Sequence, residues 1–347
     1  MIDQEKLQAA YDENRFYSLQ LEVGDRCVQG CVYCYMNALD QEKNTLSDEL
    51  VDRVLEEAHR LGITAIEWLG GEPLLRKSVG KRMARAVDLG LRNNVWTGGL
   101  PLSDMSILKT TVKHARKGLI AVHLSTIDPT LYRILHPSRP SEDLGRIIDS
   151  VKEILNQGYP SEQMLNSVTF TGLQTADEMI RTIQYFQSEF RIKTSLNVYH
   201  SYLRPGTALG ELKRFIPKVD EVRKVYDMYA LQWGEKWLPM NCVNKQYCST
   251  TLAVLCDGSI TPCATIRGES VGNLHWGESL YDTALTHRDL LTIVFLRERE
   301  NLPSGCSSCR LSDRCFGCRS RAYAAGRGIY GKDPGCFRTH IHSMRNE

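Results

Sequence analysis

The sequence lacks long apolar runs, an export signal and an excess of charge of either sign. No stretch of its 347 residues approaches the roughly 18 apolar residues of a membrane-spanning helix. The N-terminus, Met-Ile-Asp-Gln-Glu-Lys-Leu-Gln, does not have the basic and then apolar regions of a signal peptide. The formal net charge is +2 and lysine and arginine are dispersed, so no basic stripe could follow a nucleic-acid backbone. We therefore expect neither a membrane nor a nucleic acid as partner.

Cysteine, in contrast, is frequent, with twelve residues in two groups. Three lie between Cys27 and Cys34, and nine lie between Cys242 and Cys336. In a chain without an export signal, so many cysteines argue against a disulfide framework and for metal ligation. We therefore expect a protein of the reducing cytoplasm. The hydrophobic share of 42% is enough for a globular chain to bury a core.

The first group has the spacing C-x3-C-x2-C, formed by Cys27, Cys31 and Cys34, with Tyr33 before the last cysteine. Three thiolates can converge on one metal centre but do not complete a four-thiolate shell. An iron–sulfur cubane with three protein ligands keeps one iron open for another ligand. Buried structural cysteines, or part of a zinc site completed elsewhere in the chain, are the alternatives at this point.

A second motif makes the pattern more specific. Gly70-Gly71-Glu72-Pro73 ends the second predicted strand, as the cysteine motif follows the first. Together they resemble the radical S-adenosylmethionine (SAM) superfamily. The resemblance implies that the three cysteines hold a [4Fe–4S] cluster and that SAM binds its open iron. It further implies that Gly70 and Gly71 let the backbone approach the methionyl part, that Glu72 orients the SAM ammonium, and that Pro73 completes this contact.

The resemblance also places SAM contacts at the ends of later strands. Ser125, near the end of the fourth predicted strand, and Thr169, near the end of the fifth, are the predicted contacts with the ribose hydroxyls. An ordinary hydroxyl near a turn is the alternative for each. His123 either faces the barrel interior or is a core histidine whose ring nitrogens have hydrogen-bond partners. Other candidates at this rim are Thr126, Thr171, His200 and Arg204.

Strand-length apolar runs alternate with amphipathic helical segments through the first 200 residues. The predicted strands are 16–23, 63–69, 94–97, 119–126, 166–170 and 194–199. Such alternation predicts right-handed crossovers and a parallel α/β sheet. Six units resemble the partial (βα)6 barrel of the radical SAM family. Parallel α/β folds bind ligands at the C-terminal ends of their strands, where both motifs lie.

The pattern changes after residue 207, where the strand and helix alternation stops. We expect the partial barrel over residues 1–210 and a bridging helical segment over 211–239. The remainder, 240–347, is expected to form a small cysteine-rich domain with a short hairpin and helices.

The cysteine spacing of this remainder resembles the SPASM extension of radical SAM enzymes. Nine residues separate Cys248 from Gly258 and four separate Gly258 from Cys263, and a Cys306-x2-Cys309-x5-Cys315-x2-Cys318 run follows. The usual pattern has one more residue between the last two, which leaves the ligation of Cys318 in question. The resemblance implies two auxiliary [4Fe–4S] clusters and hence three in all. It assigns Cys242, Cys248, Cys263 and Cys318 to the first auxiliary cluster, and Cys306, Cys309, Cys315 and Cys336 to the second.

Two alternatives accompany that assignment. Zinc also binds paired C-x2-C knuckles, but their usual separation is about 15–20 residues, and here it is five. Cys256 is left over from the pattern. It is either a small buried hydrophobe or an alternative ligand or reactive thiol.

The expected activity is that of a radical SAM oxidoreductase or maturase, in which auxiliary clusters support oxidative modification of a peptide or protein side chain. The alternative is oxidation, decarboxylation or epimerisation of a small metabolite or tetrapyrrole. A non-catalytic iron–sulfur carrier is a third class. The resemblance implies a flavodoxin- or ferredoxin-type reductant. Only about fifteen residues precede the first predicted strand, so a peptide leader would need a separate binding protein. No residue is identified as the catalytic acid or base.

Overall fold

The structure, a computed structural model, describes residues 2–199, 209–233 and 244–336. Strands and helices alternate as predicted through the first six units. The strands are β1 (Ser18–Glu22), β2 (Ala65–Leu69), β3 (Arg92–Thr97), β4 (Leu119–His123), β5 (Met164–Phe170), β6 (Lys193–Val198), β7 (Thr251–Val254), β8 (Ser259–Thr261) and β9 (Gly272–Asn273).

The helices begin with α1 (Gln4–Asp12), which precedes the first strand. Those of the alternating units are α2 (Asp48–Arg60), α3 (Val79–Asp88), α4 (Met105–His114), α5 (Pro129–Leu135), α6 (Glu142–Asn156) and α7 (Ala176–Phe190). Those that follow are α8 (Leu209–Leu212), α9 (Val219–Trp233), α10 (Lys245–Cys248), α11 (Leu280–Thr286), α12 (Arg288–Leu291) and α13 (Arg319–Ala324).

Local sequence signals explain where these helices begin and end. Ser47 caps α2 by accepting from the Leu50 amide, and two acidic residues follow in the first turn, where they favour the helix dipole. The apolar stripe of α2 (Val51, Val54, Leu55 and Ala58) is buried against the sheet. Gly62, at φ 75°, ends the segment in a conformation that other residues rarely adopt.

In the described part of the chain, the strands form one nine-stranded sheet in the order β6-β5-β4-β3-β2-β1-β7-β8-β9. The first six are parallel neighbours in chain order, which confirms the predicted α/β class. The cysteine-rich end continues this sheet, since β7 pairs in parallel with β1 and Ser18 lies opposite Thr251. The expected hairpin is β7–β8, which turns at Gly258.

The two faces of the sheet differ in polarity. Leu19, Leu21, Ile66 and Trp68 point toward the helices and belong to the main hydrophobic core. Successive residues of a strand face opposite ways, and the other face of these two strands carries the polar Ser18, Gln20, Glu22 and Glu67. Among them is Glu67, whose buried carboxylate accepts from several donors. Its donors are Ser18 Oγ at 2.9 Å, Asn94 Nδ2 at 2.7 Å, Trp96 Nε1 at 2.6 Å and Tyr247 Oη at 3.0 Å.

The predicted bridging helix corresponds to α9, which packs on the outside of the barrel. Val222 and Val225 of α9 share a hydrophobic cluster with Met179 and Ile183 of α7. Across residues 2–199, 209–233 and 244–336, no helix has both the length and the apolar character needed to cross a membrane.

Candidate active site

The loop after β1 carries the first three cysteines and is tied to its neighbours by backbone hydrogen bonds. The Cys27 amide donates to the Leu39 carbonyl at 2.8 Å, and the Val32 amide donates to the Leu135 carbonyl at 3.0 Å. Gly30 has φ +63°, and a Cβ there would lie 2.2 Å from Ser138 Oγ. The loop is therefore held on both sides of its central glycine.

The three thiols lie close enough to influence one another. Burial, and then the neighbouring Cys34 and Cys27, hold the pKa of the Cys31 thiol well above its usual value. Burial raises the pKa of Cys27 to about 12. Metal ligation requires thiolates, and a bound metal centre would supply the positive charge that stabilises them.

One donor already faces these sulfurs: the Gln29 amide donates to Cys27 Sγ at 3.4 Å. Among the described residues, no three Cys, His, Asp or Glu side chains converge tightly enough for a single metal ion. The thiolates of a cubane bind different irons and need not meet at one point. The donor set and the spacing therefore fit a three-thiolate [4Fe–4S] cluster.

The Gly70–Pro73 segment runs alongside this loop. The Gly71 amide donates to the Gly24 carbonyl at 2.9 Å, and the Glu72 amide donates to the Arg26 carbonyl at 2.8 Å. Both glycines are required by space: a Cβ at Gly70 would lie 2.3 Å from the Gly24 oxygen, and one at Gly71 would lie 2.2 Å from the Arg26 oxygen. The double glycine thus lets β2 and the segment leading to Cys27 approach backbone to backbone.

Glu72 is buried at the end of this segment. Its Oε2 accepts from the Gly98 amide at 2.7 Å and from Thr97 Oγ1 at 2.9 Å, and its Oε1 accepts from the Leu74 amide at 3.1 Å. Burial raises the pKa of Glu72 to about 7, although these hydrogen bonds oppose the rise. A carboxylate has about four acceptor positions, so one is left for a further donor.

The aromatic residue of the cysteine motif connects the loop to β4 and β5. The Tyr33 hydroxyl lies 3.0 Å from His123 Nε2 and 3.1 Å from Ser125 Oγ. The Thr169 amide donates to Ser125 Oγ at 3.0 Å. Burial lowers the pKa of His123 to about 4, so it is neutral here. The structure therefore brings Ser125 and Thr169 together beside the cluster loop, with the Ser125 hydroxyl already in a hydrogen-bond network.

The remaining rim candidates are not all placed at the site. Thr126 accepts from the Asp128 amide at 3.0 Å, and Thr171 accepts from the Leu173 amide at 3.3 Å, so both hydroxyls stabilise turns. His200 and Arg204 lie outside the described residues, as does Cys242 of the first auxiliary set.

An ion pair that sequence reasoning missed joins the cysteine-rich end to the first strand. Glu22, the last residue of β1, is buried, and Arg267 Nη1 lies 2.8 Å and 3.0 Å from its two oxygens. Tyr35, next to Cys34, donates to the same carboxylate at 2.8 Å. The Cys256 thiol is buried 3.9 Å from Arg267 Nη2, which agrees with its interpretation as a small buried residue.

The later cysteines form two groups of neighbours. Burial and then the neighbouring Cys263 and Cys318 hold the pKa of Cys248 well above its usual value, and Cys315 of the other set also raises it. Cys306 interacts in the same way with Cys336 and Cys309, and Cys315 interacts with Cys336 and Cys306. Most of these interactions run within one or the other of the two predicted ligand sets, and the assignment of the ligands stays a prediction.

A buried ion pair supports both groups. Arg321 donates to Asp333 at 2.9 Å and 2.7 Å, and both side chains are 2% exposed. The same carboxylate accepts from the Cys318 amide at 2.7 Å and from the Gly335 amide at 2.9 Å. Burial alone would raise the pKa of Asp333, but Arg321 and these hydrogen bonds hold it below its usual value.

Comparison with known proteins shows what this chain is similar to. The model of the radical SAM superfamily matches residues 21–186. The probable GTP 3′,8-cyclase of Methanothermobacter thermautotrophicus is 23% identical over 260 residues, which cover 71% of this chain and 83% of that protein.

Two solved structures share the fold over nearly the whole chain. Streptococcus suis SuiB bound to its precursor peptide SuiA has a TM-score of 0.66 at 19% identity, covering 96% of this chain and 79% of that one. The anSMEcpe structure with bound S-adenosylmethionine and a peptide has a TM-score of 0.65 at 15% identity, covering 94% of each chain. At such identities the likeness demonstrates the fold alone.

Proposed function

We propose that this chain, whose residues 21–186 form a radical SAM domain, oxidatively modifies a peptide or protein side chain with the help of two auxiliary [4Fe–4S] clusters. The observation that carries the proposal is the pairing of the cysteine loop with the Gly70–Pro73 segment. Two backbone hydrogen bonds hold the three-thiol site beside the double glycine at the end of β2. A ligand bound to the open iron of a cluster would lie beside this segment.

In this proposal Cys27, Cys31 and Cys34 hold the first cluster. When bound, the cluster and SAM together supply reductive cleavage to methionine and a 5′-deoxyadenosyl radical, which removes a hydrogen atom from the substrate. Gly70 and Gly71 would present main-chain atoms at the strand end, where the absence of a Cβ lets this segment lie against the backbone that leads to Cys27. The remaining acceptor position of Glu72 would receive the SAM ammonium, which would also stabilise the ionised form of this buried carboxylate.

Ser125 and Thr169 would contribute to the ribose contact from the ends of β4 and β5. What supports this role is their position beside Tyr33, at the edge of the sheet where parallel strands place ligands. The Ser125 hydroxyl can donate to one group and accept from two, so a ligand hydroxyl would have to exchange with part of the present network.

The auxiliary clusters are proposed on the two groups of later cysteines. Cys248, Cys263 and Cys318, completed by Cys242, would bind one, and Cys306, Cys309, Cys315 and Cys336 would bind the other. Eight thiolates close both clusters, so neither would bind substrate directly. Despite the short Cys315–Cys318 spacing, the Asp333 carboxylate orients the Cys318 backbone beside its partners, which supports its role as a ligand.

The peptide substrate is inferred by analogy with SuiB and anSMEcpe, both of which have structures with a peptide bound. A shared fold does not determine a substrate. A small molecule is therefore the second candidate, and the similarity to probable GTP 3′,8-cyclases favours it. A flavodoxin- or ferredoxin-type protein would supply the electron, and a separate protein would hold a peptide leader.

Anaerobic reconstitution tests the enzyme class. With dithionite and SAM, the loaded protein should form 5′-deoxyadenosine, and iron and sulfide should each approach about twelve per chain by the three-cubane count. Fully loaded clusters without SAM cleavage would support the non-catalytic carrier instead. About four irons per chain with bound zinc would contradict the auxiliary clusters.

Isotope transfer tests the substrate. Deuterated candidate peptides and deuterated nucleotides are supplied separately, and the 5′-deoxyadenosine is examined for deuterium by mass spectrometry. Transfer from a peptide supports the leading proposal. Transfer from nucleotides alone would contradict it and favour the small-molecule alternative.

A further inference from the structure

Arg319, the residue after Cys318, is the most deeply buried cation of the cysteine-rich region that the structure describes, at 1% exposed. Its guanidinium is held entirely by main-chain oxygens. It donates to the carbonyls of Gly317 at 3.3 Å, Ile329 at 3.1 Å, Gly331 at 2.8 Å and Phe316. These contacts fix the position of the charge to one place between the Cys315–Cys318 loop and the segment that leads to Cys336.

That place lies between the two groups of thiols. Arg319 interacts electrostatically first with Asp333, and then with Cys318 and Cys248 of the first auxiliary set and with Cys306 of the second. Cys248 and Cys306 are both partly buried, and they pack against the same hydrophobic cluster. That cluster is formed by Ile293, Leu296, Leu302 and Phe316. One cation is therefore shared by both proposed cluster sites.

The charge of Arg319 is not cancelled by a carboxylate of its own. Asp333 is near, but it forms the bidentate pair with Arg321 and accepts from two amides as well. Within the described residues, two buried guanidiniums thus share one buried carboxylate. A buried charge without a counter-charge costs several kcal/mol, and four neutral carbonyls offset only part of that cost. The arrangement calls for negative charge from another source.

We propose that Arg319 is a shared electrostatic group that favours the reduced state of both auxiliary clusters. This inference rests on the proposed function, since it needs those clusters to be present. A [4Fe–4S] cluster with four thiolates is negatively charged, and its reduction by one electron makes that charge more negative by one. A fixed cation therefore stabilises the reduced form more than the oxidised form, which raises the reduction potential. Arg319 would act on the reduction potential of the auxiliary clusters and would not contact the substrate.

The test is a redox titration of the full-length, anaerobically reconstituted protein followed by electron paramagnetic resonance. Arg319→Gln removes the charge and keeps a polar side chain of similar length. At the wild-type midpoint, we expect the ratio of reduced to oxidised auxiliary clusters to fall about tenfold, or 59 mV for a one-electron couple. The cluster of Cys27, Cys31 and Cys34 should keep its potential. Arg319→Lys retains the charge and should keep the ratio within about threefold of wild type.

The matched control is Arg327→Gln, which removes an exposed arginine of the same segment. Its guanidinium donates to the Lys332 carbonyl at 3.2 Å and faces solvent, where charge effects are screened. The control should leave all cluster potentials unchanged. A shift equal to that of Arg319→Gln would overturn the special role of the buried cation.

Iron analysis separates the two levels of inference. If wild-type protein holds only about four irons per chain, the auxiliary clusters of the proposed function are absent. If the glutamine variant holds all three clusters at unchanged potentials, the clusters stand and the role of Arg319 is wrong. Another outcome is that Arg319→Gln loses auxiliary iron while Arg319→Lys keeps it at near-wild-type potentials. That result would support the proposal, because the two variants differ in the positive charge at this position. Loss of auxiliary iron in both variants would reduce Arg319 to a structural residue and overturn the proposal.

Discussion

The closest backbone approach at the candidate site is at Gly71, and replacing it with alanine is the sharpest test of that geometry. The new Cβ would lie 2.2 Å from the Arg26 carbonyl oxygen, 2.5 Å from its carbon and 2.7 Å from the Asp25 carbon. All three atoms belong to the main chain, so no side-chain rotation can relieve the contact. The segment leading to Cys27 would have to move by about 1 Å to restore normal contact distances.

The cost follows from what that movement breaks. Overpacking of this kind costs about 1–3 kcal/mol. Losing the hydrogen bond from the Glu72 amide to the Arg26 carbonyl adds about 1 kcal/mol. We therefore expect a loss of about 2–4 kcal/mol in the free energy of unfolding. Because Cys27 is the next residue, a misplacement of about 1 Å should reduce SAM cleavage about 100-fold.

Both effects are measured on anaerobically purified protein, as the urea midpoint of unfolding and as the rate of 5′-deoxyadenosine formation per loaded chain. The matched control is Gly145→Ala, in the exposed face of α6, where an added Cβ meets nothing within 4 Å. That change should stabilise the helix by about 0.5–1 kcal/mol and leave SAM cleavage intact. A Gly71→Ala protein with wild-type stability and wild-type cleavage would refute the reasoning from backbone contact.

Three further variants test other parts of the molecule. Cys34→Ala should abolish SAM cleavage and leave about eight irons per chain, and iron near the wild-type value would contradict the assignment of the first cluster. Asp333→Asn should destabilise the protein to urea by about 3–5 kcal/mol, because it breaks the buried bidentate ion pair with Arg321. The exposed Asp149→Asn control should change stability by less than about 0.5 kcal/mol. Tyr33→Phe should cost about 1 kcal/mol through its lost hydroxyl contacts, and an unchanged urea midpoint would show that they contribute nothing.

The alternating units could be predicted because their signals are local. The apolar stripe of α2 and the apolar run of β4 each lie within one segment of the sequence, and the structure confirms both. The fourth strand was predicted to continue to Thr126 but ends at His123. The reason is a change of partner: the Leu124 amide donates to Asn166 Oδ1, and Thr126 accepts from the turn that follows. The residue types at these positions do not predict this change of hydrogen-bond partners.

The contacts that depend on distant parts of the chain could not be predicted in this way. Arg267 and Glu22 are 245 positions apart, and neither belongs to a recognisable pattern. The parallel pairing of β7 with β1 has the same origin, since a short apolar strand fits many sheet edges equally well. Ser125 was identified as polar and close to the rim, but its ties to Tyr33 and Thr169 come from three separate elements.

The position of β1 explains why these distant contacts matter for the candidate site. It lies between β2 on one side and β7 on the other, so the loop that follows it is held from both directions. From the β2 side, Gly71 and Glu72 bind its backbone. From the β7 side, Arg267 binds Glu22, to which Tyr35 of the loop also donates. The cysteine-rich end is therefore part of the framework that positions Cys34. A change at Arg267 should lower the amount of iron held at the proposed site of Cys27, Cys31 and Cys34, although Arg267 is not one of the proposed ligands.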